Sequence, residues 1–170
     1  MDYLGKVVAV AITVIAIFIA PVVNLANSND DIVQSTVYSI TTDFVADVRA
    51  QGKITQDMYM SFVSQLDNTG ILYNIEMQHS YTSPVPEFDD TGKATGIEET
   101  ENIVYTDDIL KSVYETNGVY TMHKGDVFSI TVSNREATLG QKMRQIVFKI
   151  PDTSSRILVK DGGVIRDENF

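Results

Sequence analysis

Hydrophobic positions fall into two regimes along the chain. From Val7 to Ala26 only Thr13, Pro21 and Asn24 are not clearly apolar, and no face is reserved for water. As a helix this run of about 20 residues rises roughly 30 Å, the thickness of a bilayer's hydrocarbon core. From Asp30 the pattern becomes periodic. Val33, Val37, Ile40, Phe44 and Val48 recur three or four apart, with Gln34, Thr41, Asp43, Asp47 and Arg49 on the other faces. That spacing predicts an amphipathic helix continuing the apolar one, stopped at Gln51-Gly52, where glycine accepts the left-handed conformation past a helix end. If Asn27 to Asn29 leaves it unbroken, a single helix runs from about residue 3 to 50, roughly 70 Å, half against an apolar phase and half against a domain. Pro21 removes one backbone donor, which predicts a kink or a melted turn there, or a proline tolerated near a helix end.

Beyond Gly52 the periods shorten. Thr55 can cap a second helix with Asp57 in its first turn and an apolar stripe of Tyr59, Phe62, Val63 and Leu66, ended by Asn68-Thr69-Gly70. Ile71, Tyr73, Ile75, Met77 and His79 then alternate with Asn74, Glu76 and Gln78, the period of a half-buried strand. Ser80 to Asn102, with Pro84, Pro86, Gly92, Gly96 and six acidic side chains, reads as a long exposed loop or a loosely formed hairpin. A short helix is expected over Asp107 to Glu115, capped by Thr106 and stopped by Asn117-Gly118. Gly118 to Met122 and Val127 to Ser133 suit a hairpin around His123-Lys124-Gly125-Asp126. Ala137 to Lys149 fits a helix or a strand, with a short helix running into extended chain before Pro151 preferred. Ile157 to Lys160 and Val164 to Arg166 suggest a last hairpin about Asp161-Gly162-Gly163. The pattern therefore predicts an α+β chain: a long N-terminal helix, first hydrophobic and then amphipathic, packed on a small, mainly antiparallel sheet domain. The division expected is 1–28 for the transmembrane or assembly helix and 29–170 for the domain.

Charge orients the apolar segment. Lys6 and the amino terminus lie on one side and Asp30 and Asp31 on the other, so the positive-inside tendency places the N-terminus in the cytoplasm and the domain outside. A retained single-pass anchor is preferred over a cleaved secretory signal, for which Ala26-Asn27-Ser28 supplies small residues, and over a buried core helix. The chain carries 23 Asp and Glu against 13 Lys and Arg, a net charge of -10, and lacks the clustered cationic face that a nucleic-acid partner requires. It has no cysteine, which excludes disulfides, thiolate metal sites and a cysteine nucleophile.

Candidate chemistry is sparse. His79 and His123 have no repeated ligand spacing and read as strand or turn surface residues. Glu87, Asp89, Asp90, Glu98, Glu99 and Glu101 have oxygen ligands for calcium but not the spacing of a calcium loop, and read as a solvated acidic loop available to a partner. Asp107-Asp108 complements a helix dipole. No nucleophile elbow, phosphate-cradling glycine loop or base for a serine stands out, so neither an enzyme nor a cofactor is expected.

The order of parts, a short polar N-terminus, an apolar helix with a late proline, an amphipathic continuation and a sheet domain, resembles the type IV pilin-like superfamily. Phe44-Val45-Ala46-Asp47-Val48-Arg49, Gly52-Lys53-Ile54-Thr55 and Leu66-Asp67-Asn68-Thr69-Gly70 are most similar to the TadE-like pilin-related proteins of Gram-positive bacteria. Lys124 to Ile130 and Thr138-Leu139-Gly140 extend the likeness. Prepilin processing of that kind would end its leader at Gly5 and place a glutamate five residues on, where this sequence has Val10. The resemblance implies a structural subunit of a surface filament or envelope apparatus, drawn from the membrane and stacked on copies of itself through its N-terminal helix. Val10, Val14, Ile17 and Phe18 would anchor that packing, with Ile15 inside it and Pro21 late in the helix. The alternative expectation is a membrane-anchored accessory protein that never polymerises and meets its partner through the acidic loop.

Overall fold

The computed structural model describes residues 3–88, 94–116, 118–149 and 157–166. Its organising element is α1, Tyr3–Gln51, one uninterrupted helix of 49 residues that includes Pro21. It crosses residues 27–29 without a break and stays helical through the proline, so there is no melted turn. Gly52, at φ 63°, ends it with its N–H on the Val48 carbonyl, which is the predicted stop. β1 (Lys53–Thr55) leads into α2 (Gln56–Asp67), where the Thr55 hydroxyl accepts from the Met58 N–H as expected of a cap.

Four antiparallel strands form the main sheet in the order β3-β2-β5-β6: β2 Tyr73–Phe88, β3 Ala94–Tyr105, β5 Val127–Asn134 and β6 Leu158–Val164. A separate two-stranded sheet pairs β1 with β4, Val119–Thr121. Of the stretch expected as a loop or loose hairpin, residues 80–88 and 94–102 are paired strands, with a register shift at Glu87/Phe88, while 89–93 lie outside the described residues. β2 pairs with β5 only as far as Ser80, and beyond it with β3 alone. Residues 81–88 therefore form, with their β3 partners, a two-stranded arm projecting from the sheet. Pro84 and Pro86 are two residues apart, so both remove donors from the same edge of β2 and leave the other edge able to hold β3.

Three expected details are corrected. Thr106 does not cap the helix after β3: the N-cap of α3 (Thr106–Lys111) is Tyr105, and the Thr106 hydroxyl instead bonds the Met77 N–H and carbonyl across to β2. That helix relaxes into a π turn, Ser112–Thr116, before Gly118; Asn117 lies outside the described residues. The residues of β4 do not form a hairpin with β5, because Ile54 is a fully buried neighbour that β4 covers by pairing with β1. Asp161-Gly162-Gly163 is not a turn but the middle of β6. A Cβ on Gly162 would fall 2.5 Å from the Phe128 carbonyl oxygen, and one on Gly163 2.7 Å from the Arg49 guanidinium carbon. These glycines let a strand pass close to β5 and α1 rather than reverse the chain.

The core lies between the second half of α1, α2 and one face of the sheet. Phe44 stacks on Phe62 at 4.3 Å and meets Phe128 edge-on at 6.3 Å. Val37, Val45, Val48, Leu66, Met77 and Ile130 close around these rings with almost no exposure. The ambiguous segment near the C-terminus is α4, Leu139–Phe148, begun by a full capping box between Thr138 and Gln141. It folds back along α1 below the sheet. Pro151 lies outside the described residues.

Candidate functional site

The first half of α1 has no core to enter. Val10, Val14, Ile15, Ile17 and Phe18 are all exposed, Phe18 at 71%, and Pro21 is exposed beside them. Of the most apolar 18-residue window of the helix only 6% is buried, so this is not a core helix of the domain. Among the described residues it is the one helix long and apolar enough to cross a membrane. Burying one Ile, Val or Phe side chain is worth about 1.5–3 kcal/mol, and a row of them gives this surface a large unmet driving force to leave water.

The changeover between the two halves of α1 is held by polar contacts to α4. Among the described side chains Val23 and Ala26 are the first buried ones of the helix, and Asp30 follows at 1% exposure. The Asp30 carboxylate accepts from the Thr138 hydroxyl and, at 3.4 Å, from the Gly140 N–H, so it sits on the N-terminus of α4, where backbone donors and the helix dipole favour an anion. Arg144 donates to the Asn27 side-chain oxygen at 2.6 Å. Gly140 permits the approach: a Cβ there would lie 2.3 Å from Asp30 Oδ2. From sequence Asp30 reads only as a flanking charge, because its partners are more than a hundred residues away.

The acidic candidates are not gathered into one site. In the β2–β3 arm Glu99 and Glu101 oppose Pro84 and Thr82, whereas Glu87 opposes Gly96 and has the opposite parity on β2. Glu99 and Glu101 thus share one face of the ribbon and Glu87 lies on the other. The backbone of Glu98 pairs with Val85; Asp89 and Asp90 lie outside the described residues. Among the described residues no group of three or more His, Asp or Glu side chains is placed to hold a metal ion.

His79, expected at the surface, is 4% exposed and bonded at both ring nitrogens. Nδ1 is 2.7 Å from the Tyr120 hydroxyl and Nε2 3.0 Å from Asp126 Oδ2, which also accepts the His123 backbone N–H at 2.6 Å. With a carboxylate as acceptor, Nε2 carries the proton and Nδ1 accepts from the phenol. Burial first, then Tyr81, Asp126 and Asp108, push the Tyr120 phenol up to about 12, which keeps it a donor. The chain of groups ties β2 to β4 and to the turn before β5. Its signal in the sequence is that His79 continues the alternation of Ile75 and Met77. The His123 ring is exposed, as expected, and its side chain lies 3.8 Å from Asp126. Compared with protein-family models, with curated proteins and with solved structures, the chain matches none.

Proposed function

We propose that this chain is a structural subunit of an extracellular pilus-like filament or envelope-spanning apparatus, assembled through the apolar half of α1. The observation that carries the reading is the contrast within one continuous helix: its second half is the core of a domain, and its first half presents apolar side chains on every side. Such a surface is stable in a bilayer or against copies of itself, and the lysine before it and aspartates after it orient the domain outward. The membrane holds the subunit during biogenesis, and stacking of α1 between copies then replaces lipid. Negative-stain microscopy of native material, with an antibody to the domain, tests this. Labelled uniform filaments are expected, and Ile15→Asp should abolish them, because an unpaired carboxylate in that packing costs several kcal/mol. Normal assembly of Ile15→Asp would overturn the proposal.

The projecting β2–β3 arm favours a second reading, a membrane-anchored accessory protein whose arm meets a partner. Particles that remain with the membrane and lose binding when the arm is shortened would establish it in place of the first.

A further inference from the structure

We propose that the C-terminal end of α4 is a lipid-contacting tip, seated in the membrane leaflet nearest the domain and fixing the depth at which the domain rides. The inference rests on the reading that the apolar half of α1 crosses a bilayer. Two antiparallel helices here change polarity at the same height. Above that height Asn27 and Asp30 of α1 bond Arg144, Thr138 and Gly140 of α4. Below it, Val147 and Phe148 line an open apolar groove with Ile15, Ala16, Ile19 and Val23. Ile146 is 74% exposed and Phe148 57%, side by side with a helix face that is itself bare.

Height along α1 supplies the depth. Val23 and Ile19 are three and seven residues below Ala26, the top of the apolar run, which at the helical rise is about 5–10 Å. Amphipathic elements that rest on bilayers bury their apolar side chains to a similar depth of about 5–10 Å, at the boundary of headgroups and acyl chains. Lys149 closes the tip, whereas Lys142, in the first turn of α4, pairs with Glu136 at 3.9 Å. Lys149 is the left-handed C-cap that ends α4, and its stem is long enough to return its ammonium group to the phosphates while the residues before it enter the apolar layer. Lipid is the occupant the geometry favours, because the tip lies against the same bare apolar face of α1 that the spanning reading places in the bilayer, at the depth of the headgroup boundary, with the Lys149 ammonium beside it to complement a phosphate.

The absence of native cysteine makes the test direct. Single-cysteine variants Ile15→Cys, Ile146→Cys, Phe148→Cys and Leu158→Cys, all at exposed positions, carry an environment-sensitive fluorophore on the full chain in phosphatidylcholine–phosphatidylglycerol vesicles. Nitroxide lipids labelled at shallow or deep positions report depth, and aqueous iodide reports exposure. Expected are deep quenching at residue 15, shallow quenching with several-fold protection from iodide at 146 and 148, and full iodide access at 158. If residue 15 is quenched by deep nitroxides while 146 and 148 are as open to iodide as 158, the tip is overturned and the membrane-spanning reading stands. Protection from iodide at 146 and 148 without nitroxide quenching overturns the lipid and assigns the tip to protein contact, a second copy included. No nitroxide quenching at residue 15 overturns the spanning reading and the tip with it.

Discussion

Replacing Gly140 with alanine tests whether α4 is held to α1 by the buried carboxylate. The new methyl would stand 2.3 Å from Asp30 Oδ2 and 2.9 Å from the Asn27 oxygen. Reaching even the closest separation that Cβ atoms tolerate, 3.0 Å, moves the carboxylate by at least 0.7 Å. The Asn27 side chain can yield, but Asp30 is 1% exposed and held by the Thr138 hydroxyl, so its movement breaks that bond and the longer one to the Gly140 N–H. A hydrogen bond to a buried charge is worth about 1.5–3 kcal/mol. Alanine returns at most about 1 kcal/mol of helix propensity, less in the first turn. The net loss is about 1–2 kcal/mol, equivalent to a fall in Tm of roughly 2–8 °C for a chain of this size. The assay is thermal unfolding of the full chain in detergent, followed by near-ultraviolet circular dichroism of its tyrosines, within a cycle containing Asp30→Ala. Removing the carboxylate opens the space, so Gly140→Ala should cost little or nothing in the Asp30→Ala background and the two changes should couple by about 1–2 kcal/mol. An equal penalty for Gly140→Ala in both backgrounds, or none in the native one, would refute the lock.

Further outcomes follow from the same geometry. His79→Ala should lower stability by about 2–4 kcal/mol, since it leaves the Tyr120 hydroxyl and Asp126 short of a partner and opens a cavity, whereas His123→Ala should leave the melt within about 0.5 kcal/mol of native. Tyr120 titrates near 12 folded against 10 unfolded, so above pH 10 the unfolded chain loses that proton first; its contribution is intact below pH 10 and lost as pH rises to about 12. Stability should therefore fall less steeply between pH 10 and 12 in Tyr120→Phe, whose lost bond to His79 lowers it by a pH-independent amount, and an unchanged slope would remove Tyr120 as its cause. Replacing residues 82–101 by a short turn should leave the domain's melt unchanged, because the arm pairs only with itself beyond Ser80; unfolding on deletion would show that it props the core. If copies associate as proposed, their association should rise with divalent cations or lower pH as the acidic surface is neutralised, which light scattering across a salt series reads directly; no response would count against it.

What the sequence makes legible is periodic and local. The 3.6-residue recurrence from Val33 to Val48 marks the buried face of α1, the alternation from Ile71 to His79 marks β2, and Thr55 and Gly52 place a cap and a stop where they occur. Long-range choices leave weaker marks. Whether β4 pairs forward with β5 or back with β1 depends on which uncovered neighbour gains most from burial, and Ile54 lies far upstream of both. Glycine is ambiguous in the same way: Gly52 serves backbone conformation, whereas Gly140, Gly162 and Gly163 serve close approach, and only the partner surface distinguishes the two. The proline-rich ribbon reads as a loop because proline is scored against strands in general, although two prolines of equal parity spoil only one edge. Val10, Val14, Ile15, Ile17 and Phe18 were legible as an apolar surface from composition alone, while Asp30 and the His79 chain needed the fold.

A helix with one half in a domain core and the other half bare and apolar needs its changeover point fixed. Residues before Val23 gain by leaving water in any direction, so their hydrophobicity alone does not hold the bare half of α1 at a fixed angle to the domain. The domain could also be drawn toward the lipid. Asp30 prevents this, because its carboxylate is satisfied at one height, on the N-terminus of α4, and moving it by a single turn would leave a buried charge without partners at a cost of several kcal/mol. Arg144 on Asn27 fixes the same register one turn further down. At the other end Arg49 donates to the Val164 carbonyl of β6 and its own carbonyl accepts from the Arg166 N–H. Two polar locks some twenty residues apart on one helix hold the sheet domain between them. The bare half of α1 thus leaves the domain from a changeover point held by buried polar contacts rather than by apolar packing alone.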